Sequence, residues 1–308
     1  MEMTAPRHGW FPLLRRHARE HLPSAIGLAV GLLVVVGLLL HSLARLAAGD
    51  PIPGLQLALL GGTAGFAATA LGALPALAMR GMPRRIEDSL LGLAAGMMLA
   101  ASAFSLLLPG LDAATEILGN RALGAGVVVL GMAVGVALML GLDAFTPHEH
   151  VKTGTCGPGP ERVRRIWLFV FAIALHNLPE GMAVGVSFAQ ADLAVGLPVT
   201  VAIALQDIPE GLAVALALRG AGVPPRLAVL VAVASGVLEP LGALLGVAMS
   251  SGMVLAYPAG MGLAAGAMLF VVSHEVIPET HRHGHQTPAT LGLMAGFALM
   301  MVLDTTLG

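Results

Sequence analysis

Leu175-His176-Asn177-Leu178-Pro179-Glu180-Gly181-Met182-Ala183-Val184 and Leu205-Gln206-Asp207-Ile208-Pro209-Glu210-Gly211-Leu212-Ala213-Val214 are two copies of one pattern. Each copy puts two polar residues and then Pro-Glu-Gly in the middle of an apolar run. The two runs cover about 166–188 and 192–218, and roughly 20 apolar residues suffice for a helix to cross a bilayer. An ionisable group repeated at the centre of such helices governs both the fold and the chemistry.

Working outward, seven further apolar runs lie at about 24–46, 56–79, 88–109, 121–143, 223–250, 255–278 and 289–307. Gly, Pro or charged residues close each run, as at Asp50-Pro51-Ile52-Pro53-Gly54 and Pro83-Arg84-Arg85. Hydrophobic residues make up 56% of the chain and charged residues 11%, against about 25% charged in soluble domains. The expected fold is therefore an all-α, polytopic membrane helix bundle of nine spans. Its 40 glycines suit close packing of helices in lipid. The single cysteine, Cys156, excludes an intramolecular disulfide and a thiolate cluster. A net charge of -2 gives no attraction to nucleic acid.

A basic segment, 1–23, precedes the first span. The apolar stretch from Ile26 to Leu43 is longer than the roughly 7–15 residues of a signal-peptide core, so a retained helix is expected. With the N-terminus in the cytoplasm, Arg7, Arg15, Arg16, Arg19, Arg80, Arg84, Arg85, Lys152, Arg162, Arg164, Arg165, Arg219, Arg226 and Arg282 share one side. Only Arg45 and Arg121 fall on the other. Cytoplasmic loops carry the excess of Lys and Arg, which puts the C-terminus outside. The longest loop, 144–165, is then cytoplasmic and carries His148 and His150.

A carboxylate at the bilayer centre costs roughly 2.5–3.5 kcal/mol. Glu180, Asp207, Glu210 and Glu239 together cost on the order of 10 kcal/mol. They must face one another, water, protons or cations. His176 and Glu180 are four residues apart and share a helix face, as do Gln206 and Glu210. Pro179 and Pro209 free the carbonyls of Leu175 and Leu205, and broken helices at midplane are where transporters hold cations. Oxygen donors with one imidazole suit zinc, iron(II), manganese or cadmium rather than copper(I). Four carboxylates can neutralise two divalent ions.

At these residues the chain resembles the ZIP family of zinc- and iron-regulated transport proteins. His176-Asn177-Leu178-Pro179-Glu180-Gly181 is similar to the family's H-N-x-P-E-G signature, and Gln206-Asp207-Ile208-Pro209-Glu210-Gly211 to its partner signature. Glu239 resembles the acidic ligand of the following helix. The resemblance covers about 56–308, which leaves eight family-type helices plus one extra N-terminal helix at 24–46. It implies a binuclear metal centre, with two ions per chain. One position would use His176, Glu180, Gln206 and Glu210, with Met98 as an added ligand. The other would use Asn177, Glu180, Asp207, Glu210 and Glu239. Metal uptake into the cytoplasm by sliding or rocking of helix bundles is implied, as is a homodimer in the bacterial inner membrane. Asp112, Asp143, His148, His150, His274, Glu275, His281, His283 and His285 become candidates for an entry or exit route. For the loop histidines, a solvated loop remains an equal reading.

Two other functions fit an intramembrane cluster of this kind. A metal-dependent intramembrane hydrolase needs a motif such as His-Glu-x-x-His or Gly-x-Ser-x-Gly, and neither occurs. A carboxylate-based cation/proton antiporter shares the same fold logic and is compatible with proton-linked metal movement.

Overall fold

A computed structural model describes residues 18–79, 81–145, 177–220, 222–250, 253–282 and 284–307. The chain is all-α, with no strand among the described residues. Eight described helices are long and apolar enough to cross a membrane. They are α1 (Leu22–Ala47), α2 (Leu55–Leu77), α3 (Arg84–Leu118), α4 (Arg121–Phe145), α6 (Leu193–Gly220), α7 (Pro225–Met249), α8 (Ala256–Thr280) and α9 (Gln286–Leu307). Helix α5 is described over 177–187. His148, His150, His176 and His283 lie outside the described residues, as does most of the 144–165 loop.

Eight of the nine expected spans coincide with described helices to within a few residues except near Pro109, and the fifth, 166–188, lies outside the described residues up to 176. The third span was expected to stop at 109, but α3 continues through Pro109 and Gly110 to Leu118. Asp112 and Glu116 therefore ride on a helix rather than following it. The reason is a run of wider, π-helical turns at Ala101–Leu107. Proline clashes with the carbonyl four residues back, and a wider turn just before it gives that carbonyl room. Helix α8 repeats the device, with π-helical turns at Val272–Val276 before Pro278. Gly119, at φ 63°, then ends α3 in the left-handed conformation that glycine adopts without strain. Helix α7 breaks at Gly236-Val237, between Pro225–Ser235 and Leu238–Met249. Pro240 has no N–H for the Gly236 carbonyl, so the ladder opens there and Glu239 begins a new first turn.

Glycine pairs decide which helices touch. A Cβ at Gly92 or Gly96 of α3 would lie 2.2 or 1.9 Å from the carbonyl oxygens of Ala289 and Leu293 on α9. Gly292 and Gly296 of α9 meet the carbonyls of Ser89 and Leu93 in return. Helices α4 and α8 interlock likewise through Gly131, Gly135, Gly262 and Gly266. Helices α5 and α7 do so through Gly181, Gly185, Gly242 and Gly246. In each pair the contacts advance in the same direction along both helices, so the partners are parallel. This is the Gly-x-x-x-Gly mode of association in lipid, where bare backbones gain dispersion contact and no hydrophobic force draws helices together. Helix α2 packs on α6 in the same manner, with Gly72 against the Ile208 carbonyl and Gly211 against the Thr69 carbonyl.

These contacts sort eight helices into two sets. Helices α2, α5, α6 and α7 form one set, and α3, α4, α8 and α9 the other. The extra helix α1 lies on α4, where Gly31 meets Leu138 and Gly141 meets Leu28. It also reaches α7, since the Ser42 hydroxyl donates to the Ala248 carbonyl. Leucines such as Leu33, Leu60 and Leu130 point outward, as a lipid-facing surface requires. Replacing Gly96 by Leu should weaken the α3–α9 pairing by at least about 1–3 kcal/mol, the usual cost of overpacking. Gly37→Ala, which meets nothing within 4 Å, should stay within about 0.5 kcal/mol of the parent. Thermal unfolding in detergent measures both.

Candidate metal centre

The repeated motif lands on α5 and α6, and the structure brings its carboxylates together. One ligand atom each from Glu180, Asp207 and Glu210 lie within 4.8 Å of one another. Glu180 and Asp207 are buried and Glu210 is half-buried. The side chains of Asn177, Gln206 and Glu239 are buried as well. Pro179 and Pro209 sit directly before the two glutamates, so each glutamate projects from a turn whose ladder is incomplete. Gly181 and Gly242 let α5 and α7 approach backbone to backbone, which brings Glu239 to the cluster.

Hydrogen bonds divide the cluster in two. Gln206 Nε2 donates to Glu180 Oε1 at 2.6 Å and ties α6 to α5. Thr69 Oγ1 donates to Glu239 Oε1 at 2.7 Å and ties α2 to α7. Asn177 Nδ2 donates to the same Glu239 oxygen at 3.4 Å. Each of these acids is thus held by one oxygen. The other oxygen, Oε2 of Glu180 or of Glu239, has no hydrogen-bond partner among the described residues, and neither has Asp207 Oδ2 or Gln206 Oε1. Four buried acceptors without donors are a costly arrangement for a closed protein core. They are the donor set a divalent cation takes, because oxygen ligands with formal negative charge both bind it and are neutralised by it. The residues present therefore fit a divalent metal as cargo.

Among the other expected ligands, Met98 is fully buried on α3, which packs against α6. Ser102 on the next turn donates to the Met98 carbonyl. Asp112 lies at the other end of α3 from Arg84. It lines a cavity of about 830 Å³ together with Asp50, Glu116, Asp192 and Arg45. Arg45 Nε pairs with Asp50 Oδ2 at 3.0 Å on the wall of that cavity. At the opposite end, His274 Nε2 is 3.7 Å from Asp143 Oδ2, and its ring stacks on Phe270 with centroids 4.9 Å apart. Glu275 shares the widened turn of α8 with His274. His281 Nδ1 lies 3.0 Å from the Ile277 carbonyl oxygen and 2.8 Å from Thr280 Oγ1, so it closes the C-terminal turn of α8. His285 Nδ1 lies 2.8 Å from Asp88 Oδ2.

Four residues of this picture were not singled out from the sequence. Thr69 and Gly65 are ordinary small residues of a small-residue helix. Asp88 reads as a helix-start charge but is buried against His285. Asp304 reads as a helix-end charge but accepts from Ser105 Oγ at 2.6 Å, inside the π-helical part of α3. A signal existed only for Asp88 and Asp304, since a carboxylate within a membrane span calls for a partner.

Comparison with known proteins agrees with this geometry. A family profile described as ZIP Zinc transporter matches residues 146–304. The chain is 65% identical over 291 residues to Zinc transporter ZIPB of Bordetella bronchiseptica, covering 94% of both chains. It is 42% identical over 255 residues to Zinc transporter GufA of Myxococcus xanthus, covering 83% of this chain and 99% of the relative. It is also 31% identical over 335 residues to Zinc transporter ZIP11 of Homo sapiens, covering 82% and 97% respectively. A cation bound only by the folded chain raises its stability by about 2.7 kcal/mol at a hundredfold excess over Kd. Zinc should therefore raise the unfolding temperature of the purified chain, and the Glu180→Gln, Glu210→Gln double variant should lose that rise in a melting curve.

Proposed function

Because the chain belongs to the ZIP zinc-transporter family, we propose that it moves zinc across the membrane through a site shared by α5, α6 and α7. It is a transporter and not an enzyme. The observation that carries this reading is the convergence of Glu180, Asp207 and Glu210 beside the prolines of two helices, with buried oxygens left without donors. Cadmium, iron and manganese share the chemistry of these ligands and are the further cargoes we assign.

The cargo occupies two neighbouring positions. His176, Glu180, Gln206 and Glu210, with Met98, hold one; Asn177, Glu180, Asp207, Glu210 and Glu239 hold the other. The split hydrogen bonding supports two positions, since Gln206 orients Glu180 from one side and Thr69 orients Glu239 from the other. The His176-bearing position is the transport site, and the Asn177/Asp207 position modulates it. Movement follows from the two helix sets. Among the eight helices of the two sets, backbone contacts through glycine lie within each set for the described residues. The metal-bearing set of α2, α5, α6 and α7 can shift as a unit against α3, α4, α8 and α9 without breaking them.

The distribution of Lys and Arg supports an inner-membrane orientation with the N-terminus in the cytoplasm and the C-terminus outside. Metal enters from the cavity of Asp112. It leaves past Asp143, His274, Glu275 and His285 towards loop histidines His148, His150, His281 and His283. The transporting form is a homodimer. In proteoliposomes, zinc uptake should be saturable and should vanish on His176→Ala or Glu210→Ala. Uptake should persist at a reduced rate in the Asn177→Ala, Asp207→Ala double variant. Equal loss in the double variant would remove the distinction between the two positions, and a parent chain that moves no zinc, cadmium, iron or manganese would remove the function.

A further inference from the structure

Helix α2 contributes no acid, no histidine and no family signature to the metal centre, yet two of its residues shape it. Gly65 and Thr69 are four apart and share a face, and both touch Glu239 of α7. The Thr69 hydroxyl donates to Glu239 Oε1 at 2.7 Å. Gly236 of α7 lies close by, since a Cβ there would be 3.2 Å from Thr69 Cγ2 and 3.1 Å from Thr69 Cβ. The glycine at the break in α7 thus leaves room for the Thr69 side chain beside it. Gly65 does the complementary work. A Cβ there would lie 1.9 Å from Glu239 Oε2 and 3.1 Å from Asp207 Oδ2. The space that glycine leaves open is bordered by both of these buried oxygens, neither of which has a donor among the described residues.

We infer that Gly65 and Thr69 are positioning residues for the metal. Thr69 holds one oxygen of Glu239, and Gly65 leaves room for the other to meet Asp207 on a shared cation. The inference rests on the reading that Glu239 faces bound metal. It adds that α2 sets the geometry of the Asn177/Asp207/Glu239 position without ligating it. An outer hydrogen bond of this kind changes metal affinity by about 10–100-fold when removed.

Two substitutions separate the donor from its shape. Thr69→Val keeps the branched outline and loses the donor, whereas Thr69→Ser keeps the donor. Gly65→Ala pushes on the end of a flexible side chain rather than on backbone, so the helices stay packed while the carboxylate moves. The purified chain is titrated with zinc against a fluorescent chelator, and unfolding is followed with and without zinc. Thr69→Val should weaken zinc binding about tenfold, and Thr69→Ser should return it to within about threefold of the parent. Gly65→Ala should weaken binding as far as Glu239→Gln does. In zinc-free buffer all three should unfold within a few degrees of the parent, and Thr69→Val and Gly65→Ala should lose most of the zinc-induced rise. If Glu239→Gln binds zinc as the parent does, Glu239 is not a ligand and the reading beneath the inference falls. If Glu239→Gln is weakened while Thr69→Val and Gly65→Ala are not, the positioning role alone falls. If Thr69→Ser is as weak as Thr69→Val, the hydroxyl is not what matters and the inference also falls.

Discussion

Mutual repulsion among Glu180, Asp207, Glu210 and Glu239 is the constraint around which the remaining chain is arranged. Glu180 and Glu239 are held among the described side chains by Gln206 in the first case and by Thr69 and Asn177 in the second. All three are neutral donors, and each occupies one oxygen of its acid while the second oxygen has no donor among the described residues. These donors orient Glu180 and Glu239 without neutralising them. Had Arg or Lys filled that role, the cluster would be a closed salt-bridge network with nothing left to bind cargo. A metal transporter needs its acids aimed but uncompensated, and the neutral donors to Glu180 and Glu239 meet that need.

Such a cluster can form only if four helices come unusually close. Side chains ordinarily keep helix axes about 8–10 Å apart. Here the paired glycines of α5 and α7 remove the side chains that would intervene, and Gly72 and Gly211 do so for α2 and α6. The same small residues that permit close approach leave few large groups to fill the centre, so the polar residues meet without apolar atoms between them. Packing and chemistry are thus one design at α5, α6 and α7. In the other set, α3 and α8 use the same glycine contacts for a different end, a scaffold whose prolines are absorbed by widened turns.

Much of this was legible in the residues. The apolar runs gave the spans because length and composition suffice in a bilayer, and the doubled Pro-Glu-Gly located the centre because charge in lipid demands a reason. Glycine frequency announced close packing but not its partners. Gly92 and Gly292 are written no differently from Gly37, and only the folded chain shows that the first two meet backbone and the third meets nothing. Pro109 misled for a similar reason. It usually ends a helix, and the turns that let α3 continue are a tertiary adjustment with no sequence mark of their own. Thr69 was silent because one hydroxyl in an apolar helix commonly bonds to its own backbone; its long-range partner depends on how α2 lies against α7.

The pairing of parallel helices also fixes an order of assembly. Helix α6 is the first to complete an earlier partner, α2; then α7 completes α5, α8 completes α4, and α9 completes α3. The last three pairs are nested, so the chain closes from its middle outward as it emerges from the ribosome. Until α9 arrives, the Gly92 and Gly96 face of α3 is open to lipid, although α3 is synthesised early. Such long-range closure is slow to form, and the nesting orders it: the metal-bearing set is complete with α7, before either pair of the scaffold can shut.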